Sequence, residues 1–226
     1  FLVSIQHSFP GADGGALTQE QLGRLGAVTF IGLVLAILTT GPLADRFGAK
    51  VFALLGNALL VAGLIVTYWS PDYTVLLCAN FLLVFGAGTL DMVLSPVVSA
   101  LNPETRTGSM NWLHSFYCVG ATLTVIAGTL ALQAGISWRV SSLFLIPLPL
   151  ILIFALGAVK FPQLVTEGGE RTPLRQLIKD YWFVGALTAI FLGGATELGM
   201  AQWLPAYAEI SLKYPQWVGG VGLFLF

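Results

Sequence analysis

No charged side chain lies between Arg24 and Asp45, between Lys50 and Asp72, or between Arg139 and Lys160. A helix that crosses the hydrocarbon of a bilayer needs about 20 predominantly apolar residues, and each of these runs supplies them. Lipid offers no partner for a free backbone N–H or C=O, so such runs must close their hydrogen bonds within helices. Charged residues make up only 9% of the 226-residue chain, against about 25% in soluble domains. So few charges cannot cover a chain of this size for water. The net charge of −1 gives no basic surface for nucleic acid. Cys78 and Cys118 both fall inside apolar runs, where the expectation is that of small buried hydrophobes.

The pattern predicts an all-α membrane protein with spans near 22–43, 51–69, 74–100, 109–133, 138–160 and 180–208. Thr18 followed by Gln21 is a capping-box pattern that opens the first span. Ser70-Pro71-Asp72-Tyr73 reads as a tight turn, and the segment from Asn102 to Gly108 as a polar one. Phe161–Lys179 is longer and mixed in charge, and its end, from Leu174 to Lys179, is suited to a short surface helix. Phe1–Phe9 reads as the end of an earlier helix and Val218–Phe226 as the start of a later one. The chain is therefore expected to be a fragment. No cleavable signal sequence is visible, since such a signal is one apolar segment rather than six.

Between the first two spans lies Gly41-Pro42-Leu43-Ala44-Asp45-Arg46-Phe47-Gly48-Ala49-Lys50, a dense knot of charge that belongs in water or headgroups. It resembles the signature loop of the major facilitator superfamily, Gly-x-Leu-Ala-Asp-Arg-x-Gly-Arg-Lys. Gly41, Leu43, Ala44, Asp45, Arg46, Gly48 and Lys50 match, and Ala49 departs where a second basic residue is usual. The resemblance implies a facilitator-type helical bundle covering about helices two to seven, with parts of one and eight. It implies an N-terminal half over 1–160, a cytoplasmic linker over 161–179 and the start of a C-terminal half over 180–226. Gly41, Asp45, Arg46, Gly48 and Lys50 would then form a gating motif. With that motif cytoplasmic, Arg46, Lys50, Arg106, Lys160, Arg171, Arg175 and Lys179 lie inside and only Arg24, Arg139 and Lys213 outside, as the positive-inside rule favours. The implied location is the plasma (inner) membrane.

Two acids fall deep within the spans, Asp91 and Glu197. A charged Asp at a helix centre costs about 2.5–3.5 kcal/mol on insertion scales, so it should face a cavity or a partner. It serves either a functional role, such as proton uptake, or a structural hydrogen bond to a neighbouring helix. Gly86 and Gly88 permit close helix approach. Pro96 deprives the Met92 carbonyl of its helical partner, so a kink is expected one turn from the acid. In the next span Asn111, His114 or Ser115, and Cys118 recur at helical spacing. Counting 1.5 Å per residue from the helix ends puts Asp91 and Tyr117 at similar depth, about 15 Å.

From Gly86 to Ala121 the chain resembles the fucose permease branch of the superfamily, which comprises sugar–proton symporters. Asp91, Pro96, Asn111, His114, Phe116, Gly120 and Ala121 match its pattern. Ser95 replaces the usual Asn before Pro, and Tyr117 stands where a polar amide can occur. The resemblance assigns proton coupling to Asp91 and solute binding to Asn111, His114 and Tyr117. The sodium–glucose branch shares a Leu-Asp and Asn-x-x-His pattern, so the coupling ion is a proton or sodium. Leu82 stands where many antiporters carry Arg. The last span, with Gly193, Gly194, Glu197, Trp203 and Tyr207, also resembles the fucose permease branch and adds Glu197 and Trp203 to the binding set. Those two lie about 240° apart around a helix, so either Glu197 faces the cavity and Trp203 packs against a neighbour, or the helix breaks at Gly199, the arrangement that the glycines favour. Trp203 and Tyr207 read equally as an interfacial aromatic belt.

The expected activity is secondary transport of a small polar solute, a sugar, by a protein that is a monomer in its full-length form. The alternatives are export of apolar compounds and, in a different class, intramembrane catalysis by His114 with Asp91. No phosphate loop, nucleophile motif or metal-ligand pattern accompanies His114, so no enzymatic activity and no cofactor are expected.

Overall fold

The computed structural model describes residues 5–10, 15–162 and 174–214. The chain forms two compact units, Phe1–Thr166 and Glu167–Phe226. The first holds α1 (Gln19–Phe47), α2 (Ala49–Trp69), α3 (Tyr73–Leu101), α4 (Arg106–Gln133), α5 (Trp138–Leu143) and α6 (Pro147–Ala158). The second holds α7 (Leu174–Leu177) and α8 (Tyr181–Ile210). Val218–Phe226 and most of the linker, residues 163–173, lie outside the described residues.

Helix starts follow local chemistry. The Thr18 N–H donates to Gln21 Oε1 at 2.9 Å and the Gln21 N–H donates to Thr18 Oγ1 at 3.2 Å, completing the expected capping box. Asp72 caps α3 by accepting from the Val75 N–H, and Asp180 caps α8 by accepting from the Trp182 N–H.

α3 is the packing centre of the first unit, lying against both α1 and α2. The approach to α2 is so close that a Cβ on Gly86 would lie 2.8 Å from the Gly56 carbonyl oxygen. A Cβ on Gly88 would lie 2.9 Å from Ala36 of α1. The close approach expected at both glycines is therefore present. Two polar bridges tie α1 to α3. The buried Thr40 and Thr89 hydroxyls lie 3.3 Å apart, and Asn80 Nδ2 donates to the Leu25 carbonyl and to Thr29 Oγ1. An apolar cluster of Phe9, Leu17, Leu22, Leu25, Leu76 and Trp138 closes one end of the bundle. Ala44, Ala49, Phe52, Ala53, Val93 and Val97 close the other.

Several expectations need correction. The charged link is no loop: α1 stays helical through Asp45 and Arg46, and only Gly48 separates it from α2. Gly48 takes φ +88° and ψ 144°, a region essentially confined to glycine, so one residue reverses the chain. α3 stays helical through Pro96 to Leu101, a continuity that a proline kink does not interrupt. The span expected over 138–160 is present as Trp138–Ala158, with a turn at Phe144–Ile146 just before Pro147. Cys78 and Cys118 are exposed rather than buried, because both lie on faces that α1 and α2 do not cover. Among the described residues four stretches are long and apolar enough to cross a membrane: α1, α2, α3 and Trp138–Ala158. α4 is long enough at 28 residues, but Asn111, His114, Ser115 and Thr124 dilute its apolar character.

Candidate functional site

Successive residues of a helix point about 100° apart, and this fixes where Asp91 lies. Its neighbour Leu90 packs on α2, with Cγ 2.8 Å from where Gly56 would carry a Cβ. Its other neighbour, Met92, packs on α1, with Cε 2.9 Å from the same point on Gly41. The buried pair Thr89 and Val93 fills the angle between α1 and α2. Asp91 therefore occupies the opposite side of α3, turned away from both partners. It is exposed and makes no hydrogen bond or ion pair with any described residue.

α4 packs along α3, and its residues Asn111, His114 and Tyr117 are all exposed. Ser115 Oγ donates to the Asn111 carbonyl at 2.8 Å, so that hydroxyl serves its own helix. Trp112 and Phe116 form a tilted ring pair with centroids 6.1 Å apart. α4 begins at Arg106, three residues earlier than expected. A depth of about 15 Å, that of Asp91 below the end of α3, now falls at Phe116, next to Tyr117.

The gating motif divides by environment. The end of the Met92 side chain crosses Gly41, with Cε 2.9 Å from where a Cβ would lie. Asp45 and Arg46 are exposed on the last turn of α1, with the Arg46 guanidinium 5.3 Å from the Phe47 ring. Lys50 turns elsewhere. Its Nζ donates to the carbonyls of Gly157 at 2.6 Å and Val159 at 2.9 Å. The last carbonyls of a helix lack intrahelical partners, and α6 has no basic residue in its last turn. Lys50 therefore caps α6 from another helix, with charge of the sign that the C-terminal end of a helix dipole favours.

Glu197 and Trp203 sit on α8, but their side chains lie outside the described residues. The break expected at Gly199 is absent, since α8 is one helix from Tyr181 to Ile210. Each glycine weakens a helix by only about 1 kcal/mol. Opening the backbone in lipid would cost several per unsatisfied group. On an unbroken helix the two residues face directions about 240° apart. Tyr207 is exposed.

Sequence reasoning missed four polar features: the Lys50 cap, the Thr40–Thr89 pair, the Arg139 cluster and Asn57. Asn57 is 1% exposed. Its Nδ2 donates to the Ala53 carbonyl, while its Oδ1 has no partner among the described residues. A lone amide in the apolar run after Lys50 was the one available signal.

The family model for the Major Facilitator Superfamily matches residues 6–226. Monosaccharide-sensing protein 3 of Arabidopsis thaliana is 32% identical over 154 residues, 65% of this chain and 21% of its own length. Probable plastidic glucose transporter 1 of the same plant is 24% identical over 185 residues, 80% of this chain and 34% of its own length. Multidrug resistance protein Stp of Mycobacterium tuberculosis is 26% identical over 229 residues, 100% of this chain and 39% of its own length. The chain thus spans well under half of each of these relatives. No solved structure gives a significant match. The motif at Gly41–Lys50, the spanning helices and a family match across nearly the whole sequence agree: the chain belongs to the major facilitator superfamily.

Proposed function

We propose that this chain is part of a secondary transporter that carries a small polar solute, a sugar, across the plasma membrane by proton-coupled symport with alternating access. One observation carries the coupling role: Asp91 is an unpartnered acid at mid-helix, on the side of α3 turned away from α1 and α2. An acid so placed would be costly in lipid, and a water-filled cavity would relieve that cost. Asn111, His114 and Tyr117 on α4 offer donors and acceptors for hydroxyls, and Tyr117 offers a ring face. Glu197 and Trp203 of α8 belong to the proposed binding set on the resemblance alone. The relatives named for monosaccharide sensing and glucose transport support a sugar as solute, in line with the resemblance to the fucose permease branch.

The test is uptake by the full-length protein in proteoliposomes, with D-glucose and L-fucose as probes. An imposed inward proton gradient should drive accumulation that a protonophore collapses and that replacing sodium leaves unchanged. Accumulation that follows sodium instead would remove Asp91 from proton coupling. A second reading, export of apolar compounds, is favoured by the match to the multidrug resistance protein along the whole chain. It predicts ethidium efflux and no sugar uptake.

Asp45 and Arg46 belong to conformational switching in this account, because they sit exposed on the last turn of α1, while Asp91 lies on the side of α3 turned away from α1. Asp45→Ala is expected to lower turnover by about tenfold, which corresponds to about 1.4 kcal/mol on the switching barrier, with solute affinity nearly unchanged. A large loss of affinity at unchanged turnover would place Asp45 in the binding site instead.

A further inference from the structure

We infer that the break at Phe144–Ile146 is a hinge in the last span of the first unit. It lets α6 swing with the signature turn while α5 stays fixed to the bundle. The inference rests on the transport reading for its role, and on three independent observations for its mechanics.

The first is the break itself. The Leu145 N–H donates to the Ser142 carbonyl at 3.2 Å and the Ile146 N–H to the Leu143 carbonyl at 3.1 Å. Both are three-residue bonds, so the chain tightens into a 3₁₀ turn, which in mid-helix often marks a hinge. The sequence enforces it. Pro147 and Pro149 lack N–H groups, so the carbonyls of Leu143 and Leu145 have no helical donor four residues on.

The second is the anchoring of α5. Trp138, Ser141 and Ser142 are buried. The Arg139 guanidinium lies 4.9 Å from the Phe9 ring and 4.7 Å from the Trp138 ring. One of its nitrogens donates to the Ser70 carbonyl at 3.0 Å. Trp138 Nε1 donates to Ser8 Oγ, and Ser142 Oγ donates to the Leu64 carbonyl of α2. Four of these contacts, to Phe9, Ser70, Ser8 and Leu64, thus hold six residues of helix to the rest of the unit.

The third is how differently α6 is held. Pro149 is its one buried residue, and although α6 packs along α2, no side-chain hydrogen bond among the described residues pins its middle as those of α5 do. Its far end is held by the Lys50 cap on Gly157 and Val159, with Leu156 and Phe161 packed on the cluster of Ala49, Phe52 and Val97. A helix fixed firmly at one end, tied at the other to the residue that ends the signature motif, and broken between, bends where it is broken. Movement of the turn at Gly48 would pass through Lys50 to the end of α6, and so to the linker that begins beyond Lys160.

Spin labels at Val140 of α5 and Phe154 of α6, both exposed, report the bend in the full-length protein in nanodiscs. A straight helix would separate the two backbone positions by about 21 Å. The native protein is expected to give a broad or two-component distance distribution that includes shorter separations. P147A, at an exposed position, and P147A/P149A restore the missing donors and should narrow it to one component near the straight-helix value. K50M should broaden it. A native distribution already as narrow as that of P147A/P149A would overturn the hinge. Radiolabelled D-glucose uptake and equilibrium D-glucose binding form the second arm. P147A/P149A should slow uptake about tenfold, which corresponds to about 1.4 kcal/mol on the switching barrier, and leave binding in place, and unchanged uptake despite a narrowed distance would overturn the hinge's role. If the native protein neither binds nor moves D-glucose, the sugar reading fails, while the distance measurements still decide the hinge.

Discussion

Replacing Asp91 with asparagine is expected to abolish proton-driven accumulation by the full-length transporter while leaving solute exchange at equal pH partly intact. The amide keeps the size and most of the hydrogen-bonding reach of the carboxyl group, but it cannot gain or lose a proton. Binding that depends on shape and hydrogen bonds should survive, and work that depends on carrying a proton should not. The prediction is sharp because Asp91 has no described partner. Removing its charge orphans no buried cation, the usual reason such a change unfolds a protein. Stability is expected to change little, because an acid in a water-filled cavity is already solvated and does not carry the insertion cost of one in lipid. Accumulation above equilibrium that persists in Asp91→Asn would end the coupling role. Loss of both accumulation and exchange, with thermal stability intact, would make Asp91 a solute ligand instead.

What the sequence made legible is local. The capping box at Thr18 and Gln21 is a three-residue relation, and helix periodicity carries it directly. The spans follow from uncharged runs, and the tight contacts at Gly86 and Gly88 follow from residue size. The misses are relations between distant positions or contests between small energies. Lys50 meets Gly157 across 107 residues, and no local pattern in either segment announces the other. Pro96 and Pro147 look alike in sequence, yet α3 continues through Pro96 while the last span breaks ahead of Pro147. A second proline two residues on makes the difference there, and α3 is also held against both α1 and α2. Gly199 was expected to break α8, but the lipid penalty on free backbone groups outweighs the weakness of a glycine. The candidate site was legible as residue types and spacing. The face on which Asp91 lies became definite only when Leu90 and Met92 were seen to be committed to α2 and α1.

The second large effect is expected at Gly86, where adding one methyl group should destabilise the first unit. A Cβ there would lie 2.8 Å from the Gly56 carbonyl oxygen, 3.0 Å from the Leu59 Cβ and 3.1 Å from the Leu60 backbone nitrogen. Two of these atoms are backbone and cannot turn aside, so α2 and α3 must separate. The same pair meets again where a Cβ on Gly63 would lie 2.7 Å from Leu83, so separation at one level loosens contact along the helix. Two effects of opposite sign compete in Gly86→Ala. Helix propensity favours alanine by about 1 kcal/mol, and overpacking costs typically 1–3 kcal/mol, occasionally more. Backbone-to-backbone contact puts this site at the upper end, so destabilisation should win. Gly86→Val, with two further methyl groups, should prevent recovery of folded protein. Gly23→Ala is the matched control, because a Cβ on Gly23 meets nothing within 4 Å and only the propensity gain remains. Thermal unfolding of the full-length protein in detergent should therefore move down for Gly86→Ala and hold or rise for Gly23→Ala. Equal midpoints for the two would mean that α2 and α3 are not in contact through Gly56 and Gly86, and the packing centre assigned to α3 would have to be given up.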